Sequence, residues 1–135
     1  VIIRKIEEDE LDQAVRRLGR TFGRNAPECV VREAFRRRCL ECAAEGGEIL
    51  GYIAHYGSNP VVVEYLMVRW KYRRQGVGAR ILDHMKWWYP GLKVTTAHRY
   101  RAWKFYEKQG FVETARTETA RILEWKYPGE SSKST

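Results

Sequence analysis

No apolar run in this chain approaches the roughly twenty residues that a bilayer-spanning helix requires, so its 135 residues hold no candidate membrane span. No signal-peptide pattern opens it either, and a cytoplasmic location is the expectation. Cysteine is scarce and odd in number. Cys29, Cys39 and Cys42 cannot all pair, and a chain of this length buries a core without covalent staples. Cys39 and Cys42 have C-x-x-C spacing, yet zinc needs two further ligands, and His55, His84 and His98 stand singly. No thioredoxin-like βαβ pattern surrounds the pair. The thiols therefore read as free, and no metal site is signalled. Internal repeats, low-complexity tracts and linkers are missing too. One domain over residues 1–127 is the expectation, followed by a polar tail, 128–135, without regular structure.

What the chain does hold in excess is positive charge. Lysine and arginine number 25 against 17 acids, a formal charge of +8. Such a balance suits nucleic acid, an anionic membrane surface or a polyanionic small molecule. Arg16, Arg17, Arg20, Arg24 and Arg36 to Arg38 are spread over predicted helices rather than aligned in one stripe. No zinc-finger, RRM or KH signature accompanies them, although Trp70, Trp87, Trp88, Trp103 and Trp125 could stack on bases. A small basic nucleic-acid-binding domain is the rival reading from another class.

The most informative stretch is 61–89. An apolar strand, Val61 to Val68, runs into a basic turn, Arg73-Arg74-Gln75-Gly76-Val77-Gly78, and then into a helix. Glycines let main-chain N–H groups approach a ligand closely. The first turn of the helix adds unpaired N–H donors and a partial positive charge. Arg69, Lys71, Arg73 and Arg74 crowd the approach, so the expected ligand carries phosphate.

Around this segment the pattern is mixed. Val1 to Ile6 reads as a strand, and Asp9 could cap a helix with Leu11, Ala14, Val15 and Leu18 on one face. Gly19 to Pro27 reads as a loop, and a second helix starts near Pro27. Arg36 to Ala44 fits helix or strand; a strand near Cys39 to Ala44 agrees better with the hairpin turn Glu45-Gly46-Gly47 and a strand over Glu48 to Tyr56. The mostly apolar Val61 to Val68 run suggests a strand covered on both faces. Its following helix puts Ile81, Leu82, Met85 and Trp88 or Tyr89 on one side. Leu92 to Ala97 is a strand and Tyr100 to Lys108 a helix ended by Gly110. Phe111 to Ala115 and Ala120 to Tyr127 are strands around a turn at 116–119. The order β-α-α-β-β-β-α-β-α-β-β is an α+β arrangement.

The string RRQGVG resembles the Q/R-x-x-G-x-G/A pattern of the GNAT superfamily of N-acetyltransferases. A second string, Arg99 to Phe111, is similar to that family's N-x-x-A-x-x-F-Y-x-x-x-G-F signature, with Ala102, Phe105, Tyr106, Gly110 and Phe111 in register and Arg99 in place of the asparagine. The resemblance runs from near residue 1 to about 127. It implies a GNAT-like fold, a central mixed, mostly antiparallel sheet flanked by helices. It also implies transfer of an acetyl group from acetyl-coenzyme A (acetyl-CoA) to a primary amine by direct attack in a ternary complex, without a metal.

By the same resemblance, Arg73, Arg74, Gln75, Gly76, Val77, Gly78 and Ala79 hold the pyrophosphate, Leu66, Met67 and Val68 pair with the pantetheine arm, and Arg99 and Tyr106 complete the cofactor contacts. The Val68 amide would face the oxyanion, and Tyr106 would protonate the leaving thiolate, since a phenol with an ordinary pKa near 10 keeps its proton at neutral pH. The attacking amine needs a base. Glu64 shares a strand face with Leu66 and Val68; it is either that base or an acid paired with an arginine or set at an open position. Glu107, Glu113 and Glu124 are weaker alternatives, and His98 is the histidine to test. The acceptor would approach between the Gly19 to Pro27 loop and the turn at 116–119, where Arg20, Arg24, Arg116 and Arg121 favour a neutral or acidic amine over a polyamine. The expected partners are acetyl-CoA and the amine acceptor, a small molecule or a peptide or protein, with the chain a monomer or homodimer; a non-catalytic coenzyme-A-binding regulatory protein is the alternative that keeps the fold without the chemistry.

Overall fold

Strand-like and helix-like periodicities resolve, in the computed structural model, into seven strands and four main helices over the described residues, 1–131. These are β1 (Ile2–Lys5), α1 (Leu11–Phe22), α2 (Glu28–Arg36), β2 (Leu40–Glu45), β3 (Glu48–Tyr56), β4 (Val61–Val68), α3 (Val77–Trp88), β5 (Gly91–Ala97), α4 (Ala102–Lys108), β6 (Val112–Arg116) and β7 (Ala120–Lys126). The order is the one expected from sequence. The strands form one mixed sheet, β1-β2-β3-β4-β5-β7-β6. Of the expected unstructured tail, Pro128–Ser131 forms one helical turn, and 132–135 lie outside the described residues. The chain divides into two compact units. One comprises Val1–Tyr56 with Glu64–Ile81, and the other Gly57–Val63 with the residues from Leu82 onward.

In the first unit, α1 buries Leu11, Ala14 and Leu18, spaced for one helical face. They join Val31 and Ala34 of α2 and Leu40, Cys42, Tyr52, Tyr65 and Met67 of the strands in one core cluster. Removing a side chain such as Leu18, which has no exposed surface, costs about 2–5 kcal/mol. Asp9 does not cap α1. Glu10 is its N-cap residue without a side-chain cap bond; the Glu10 carboxylate instead closes the preceding 3-10 turn, Glu8–Glu10, accepting the Glu7 N–H at 3.0 Å and a bidentate pair of bonds from Arg4 at 2.8 Å each. That fork holds the Glu10 carboxyl below the usual range. The expected loop from Gly19 is also shorter than the sequence suggests. α1 continues to Phe22, because Leu18 and Phe22 both pack inward, and it ends where Gly23 turns to φ +58°.

β3 is the strand covered on both faces, with its seven central residues buried. β4, for which that was expected, alternates instead: Val61, Val63, Tyr65 and Met67 are buried while Glu64 is exposed and Leu66 and Val68 are half-buried. An apolar run reports only that both faces avoid charge, and here one face is kept open. In the second unit the first residues of β4 pair in parallel with β5, Val61 opposite Leu92 and Val63 opposite Val94. β5 pairs antiparallel with β7 over seven residues, and β7 with β6 through an irregularity between Glu113 and Ala115. Leu82, Met85, Leu92, Val94, Tyr106, Phe111 and Leu123 are among its buried side chains.

Candidate active site

The basic turn is built from the end of β4 outward. Arg69 leaves the strand with its N–H bonded to Leu50 O at 2.8 Å, and its guanidinium reaches Ile49 O at 2.8 Å and Glu48 at 3.1 Å. Its charge is already matched, and it lowers the Glu48 carboxyl in return. Arg69 is therefore a clamp between β3 and the turn, which removes it from the cations free to meet a ligand. A 3-10 turn, Trp70–Tyr72, follows. Arg73 then donates its Nε–H back to Val68 O at 3.2 Å, and Gln75 reaches Lys71 O at 3.4 Å.

Two residues of this turn stand in the left-handed region, Arg74 at φ +64° and Gly76 at φ +80°. Nothing crowds a Cβ at Gly76, so its need for glycine is conformational. The first hydrogen bond of α3 runs from Arg80 N–H to Gly76 O at 3.0 Å. The amides of Val77, Gly78 and Ala79 thus have no intrahelical acceptor, and they lie at the positive end of a twelve-residue helix. Arg73, Arg74 and Gln75 are exposed beside them. This arrangement suits a phosphate.

Ahead of the turn, β4 presents Glu64, Leu66 and Val68 on its open face. Met67 differs from the other expected cofactor contacts, because its side chain belongs to the core. Its carbonyl lies against Gly51 of β3, where an added Cβ would stand 2.7 Å from Met67 O and 3.3 Å from Val68 Cα. Glu64 has no ion-pair partner among the described residues, so the reading in which an arginine neutralises it falls away. Desolvation pushes its carboxyl above the usual range. On the opposite face Tyr65 donates its hydroxyl to Asn25 O and packs on Phe22 at 5.2 Å. The strand is thereby tied to the turn between α1 and α2.

In the second unit, Tyr106 is 5% exposed. Its ring meets Phe105 and Phe111 edge-on, each at 5.2 Å. Burial pushes the phenol well above its ordinary value, and its hydroxyl has no hydrogen-bond partner among the described residues. Phe111 is pinned in turn by its N–H to Tyr106 O at 3.1 Å, and Gly110 turns at φ +91°. Much of the second string is thus packing. Ala102 is exposed and stands at the first turn of α4, ahead of the buried Tyr106. Arg99 is exposed and lies over the Tyr100 ring at 5.0 Å.

His98 is committed on both nitrogens. Nδ1 accepts from Arg121 Nε at 3.2 Å, which leaves the proton on Nε2, donated to Thr117 O at 2.9 Å. It offers no free lone pair to an amine. Arg121 also stacks on Trp103 at 3.7 Å and lies 3.5 Å from Glu113. Glu113 takes Arg116 as well, at 2.9 Å, so this acid is tied up in ion pairs. Glu124 accepts the Thr114 hydroxyl at 2.7 Å, and Glu107 is exposed on α4.

Sequence reasoning missed Gly51, although a glycine inside a strand is a known sign that another backbone comes close. It also missed the pair of His55 and Glu41, both buried, with Nε2 and Oε2 2.9 Å apart and Lys5 3.6 Å from the same oxygen. No spacing rule joins those three residues; strand register does. Among the described residues no group of three His, Cys, Asp or Glu could hold a metal. Cys42 is buried, and its thiol is pushed up to about 11 by desolvation.

The family model of the acetyltransferase (GNAT) domain matches residues 36–113, more than half of the chain. No curated protein matches it. Among solved structures, a GNAT-family acetyltransferase from Bacillus cereus superposes with a TM-score of 0.82 at 16% identity, over 93% of this chain and 96% of that one. The ribosomal-protein-S18-alanine N-acetyltransferase of Escherichia coli gives a TM-score of 0.77 at 19% identity, over 93% of each chain. A Bacillus anthracis protein solved with acetyl-CoA is 28% identical over 65% of this chain and 61% of its own, with a TM-score of 0.60. At such identities the first two speak for the fold, while the family model speaks for the sequence between α2 and β6. The chain belongs to the GNAT acetyltransferase family.

Proposed function

We propose that the protein transfers an acetyl group from acetyl-CoA to a primary amine by direct attack, with both substrates bound at once. The observation that carries this reading is the run of amides at Val77, Gly78 and Ala79 without an intrahelical acceptor, beside the left-handed Arg74 and Gly76. Family membership and the acetyl-CoA complex of the Bacillus anthracis relative support it.

Arg73, Arg74, Gln75 and the amides through Ala79 receive the pyrophosphate. Leu66 and Val68 line the pantetheine arm, with Met67 contributing backbone only, and Arg99 stands where the family's asparagine would. Glu64 accepts the proton of the incoming ammonium, directly or through water; its raised pKa brings it nearer the operating pH. The Val68 amide faces the oxyanion that develops on the thioester carbonyl. Tyr106 donates its proton to the departing thiolate, and a phenol whose burial strengthens its hold on the proton stays protonated through neutral pH. The acceptor is a neutral or acidic amine, such as a peptide N-terminus, because Arg20 and Arg24 flank the turn after α1 and repel polycations.

Calorimetric titration with acetyl-CoA tests the first part. Saturable binding that Gly76→Glu abolishes is the expected result, and no heat with the wild type refutes the reading. An amine panel with mass detection tests the second, and efficient turnover of spermidine would reject the proposed acceptor class.

A further inference from the structure

An indole left almost wholly in water, on a short turn with both ends fixed, is poorly explained by packing. Trp70 is 82% exposed and opens the 3-10 turn between β4 and the phosphate turn. Its backbone is held on both sides, by Tyr72 N–H to Arg69 O at 2.9 Å and Arg73 N–H to Trp70 O at 3.3 Å. Its ring is backed by the Arg73 guanidinium, 5.2 Å from the ring centroid, and that guanidinium is itself anchored on Val68 O. The neighbouring cation Lys71 lies over Tyr72 instead, at 5.2 Å. Trp70 is thus a flat surface with one cation behind it and the remainder open to solvent, within three residues of the turn that receives phosphate.

We propose that Trp70, backed by Arg73, is the stacking platform for the adenine ring of coenzyme A. The proposal rests on the acetyl-CoA reading above and extends it to the nucleotide end. The pyrophosphate divides the cofactor. The pantetheine arm runs to β4, and the exposed side chains left around the turn for the adenosine are Trp70, Lys71, Arg73, Arg74 and Gln75, of which Trp70 is the aromatic one. Adenine offers a π-face to any aromatic ring, and the arrangement needs no hydrogen bonds to the base edge. Arg74 makes no ion pair among the described residues, and it stands at φ +64° on the same turn. Its charge, which also meets the pyrophosphate, extends to the 3′-phosphate.

The test compares coenzyme A with 4′-phosphopantetheine, which keeps the arm and a phosphate but lacks the adenosine. Calorimetry on the wild type, Trp70→Ala and Trp70→Phe should show coenzyme A weakened about 5- to 100-fold in the alanine variant, the range that one base stack supplies. The phenylalanine variant should retain most of the affinity, and 4′-phosphopantetheine should bind all three proteins alike. Etheno-coenzyme A should lose fluorescence on binding the wild type and much less on binding Trp70→Ala. Unchanged coenzyme A affinity in Trp70→Ala, or an equal loss for both ligands, overturns the platform while leaving the acetyl-CoA reading in place. A wild type that binds neither ligand refutes the acetyl-CoA reading and the platform with it.

Discussion

Replacing Gly51 by alanine tests whether the position of β4 controls the chemistry. The added methyl would lie 2.7 Å from Met67 O, about 0.7 Å inside ordinary contact, with Val68 Cα at 3.3 Å and Ile81 Cδ1 at 3.4 Å. The two nearest obstacles are backbone, so no side chain can swing aside, and β4 or β3 must move by several tenths of an ångström. Overpacking of this kind costs about 1–3 kcal/mol. Alanine recovers about 0.5–1 kcal/mol by restricting the unfolded chain. A net loss of about 1 kcal/mol follows, or roughly 3–6 °C in Tm for a chain of this size.

The functional loss should exceed that modest instability. Met67 and Val68 carry the backbone proposed to meet the pantetheine arm and the oxyanion, and a misplacement of about 1 Å can cost on the order of a hundredfold in rate. A shift of roughly half that distance predicts a fall of about tenfold in kcat/KM for acetyl-CoA. Gly19→Ala is the control. It lies inside α1 with nothing within 4 Å of its Cβ, and it should raise stability by about 0.5–1 kcal/mol without touching kinetics. Thermal melts and initial rates of thiol release decide the matter. A Gly51→Ala protein with wild-type kcat/KM would refute the claim that the approach of β3 positions β4.

Two further variants separate the proposed proton carriers. Glu64 has a folded pKa above its unfolded one, so the folded state binds the proton more tightly. Stability is therefore lost as pH rises from the unfolded value through the folded one, and stays lower above it. Glu64→Gln should melt at a higher temperature than the wild type at pH 7 and lose that advantage in acid. The same change should remove the acidic limb of the kcat/KM profile; a limb that persists assigns the base elsewhere. Tyr106→Phe should lower amine-dependent thiol release roughly a hundredfold, the scale of general acid catalysis, with acetyl-CoA affinity retained. Its edge-on ring contacts survive the change, so unchanged turnover would free Tyr106 from the acid role rather than report a packing defect.

The geometry of the basic turn was legible because its signal is local. A glycine needed at φ +80° and a helix start whose first amides lack an intrahelical acceptor both follow from a few adjacent residues. Element order was legible for the same reason, since period and turn chemistry act over short windows. Burial was less so. The apolar sequence of β4 conceals an open face, while β3, with its Gly51 and His55, is the strand covered on both sides. Nothing within eight residues distinguishes the two; what packs on each comes from elements far away in sequence.

Charge reads worst of all, because a sequence shows which cations exist and not which are spent. Arg69 belongs to the basic run of the turn, yet its Nη1 is spent on Glu48 and Ile49 O and its charge is paired with Glu48. Arg121 and Arg116 join the expected cationic rim of the acceptor, yet both are bound to Glu113. His98 has two nitrogens and no lone pair to give. In each case the partner lies too far along the chain for spacing to find, apart from Arg116, three residues from its acid. The consequence at the turn is that fewer cations are left for a ligand than its composition suggests: with Arg69 tied to Glu48, Arg73 and Arg74 are its exposed arginines. Binding at the turn should therefore depend on salt less steeply than a charge of +8 implies, since specific amides and two arginines, rather than the whole surface, meet the phosphates.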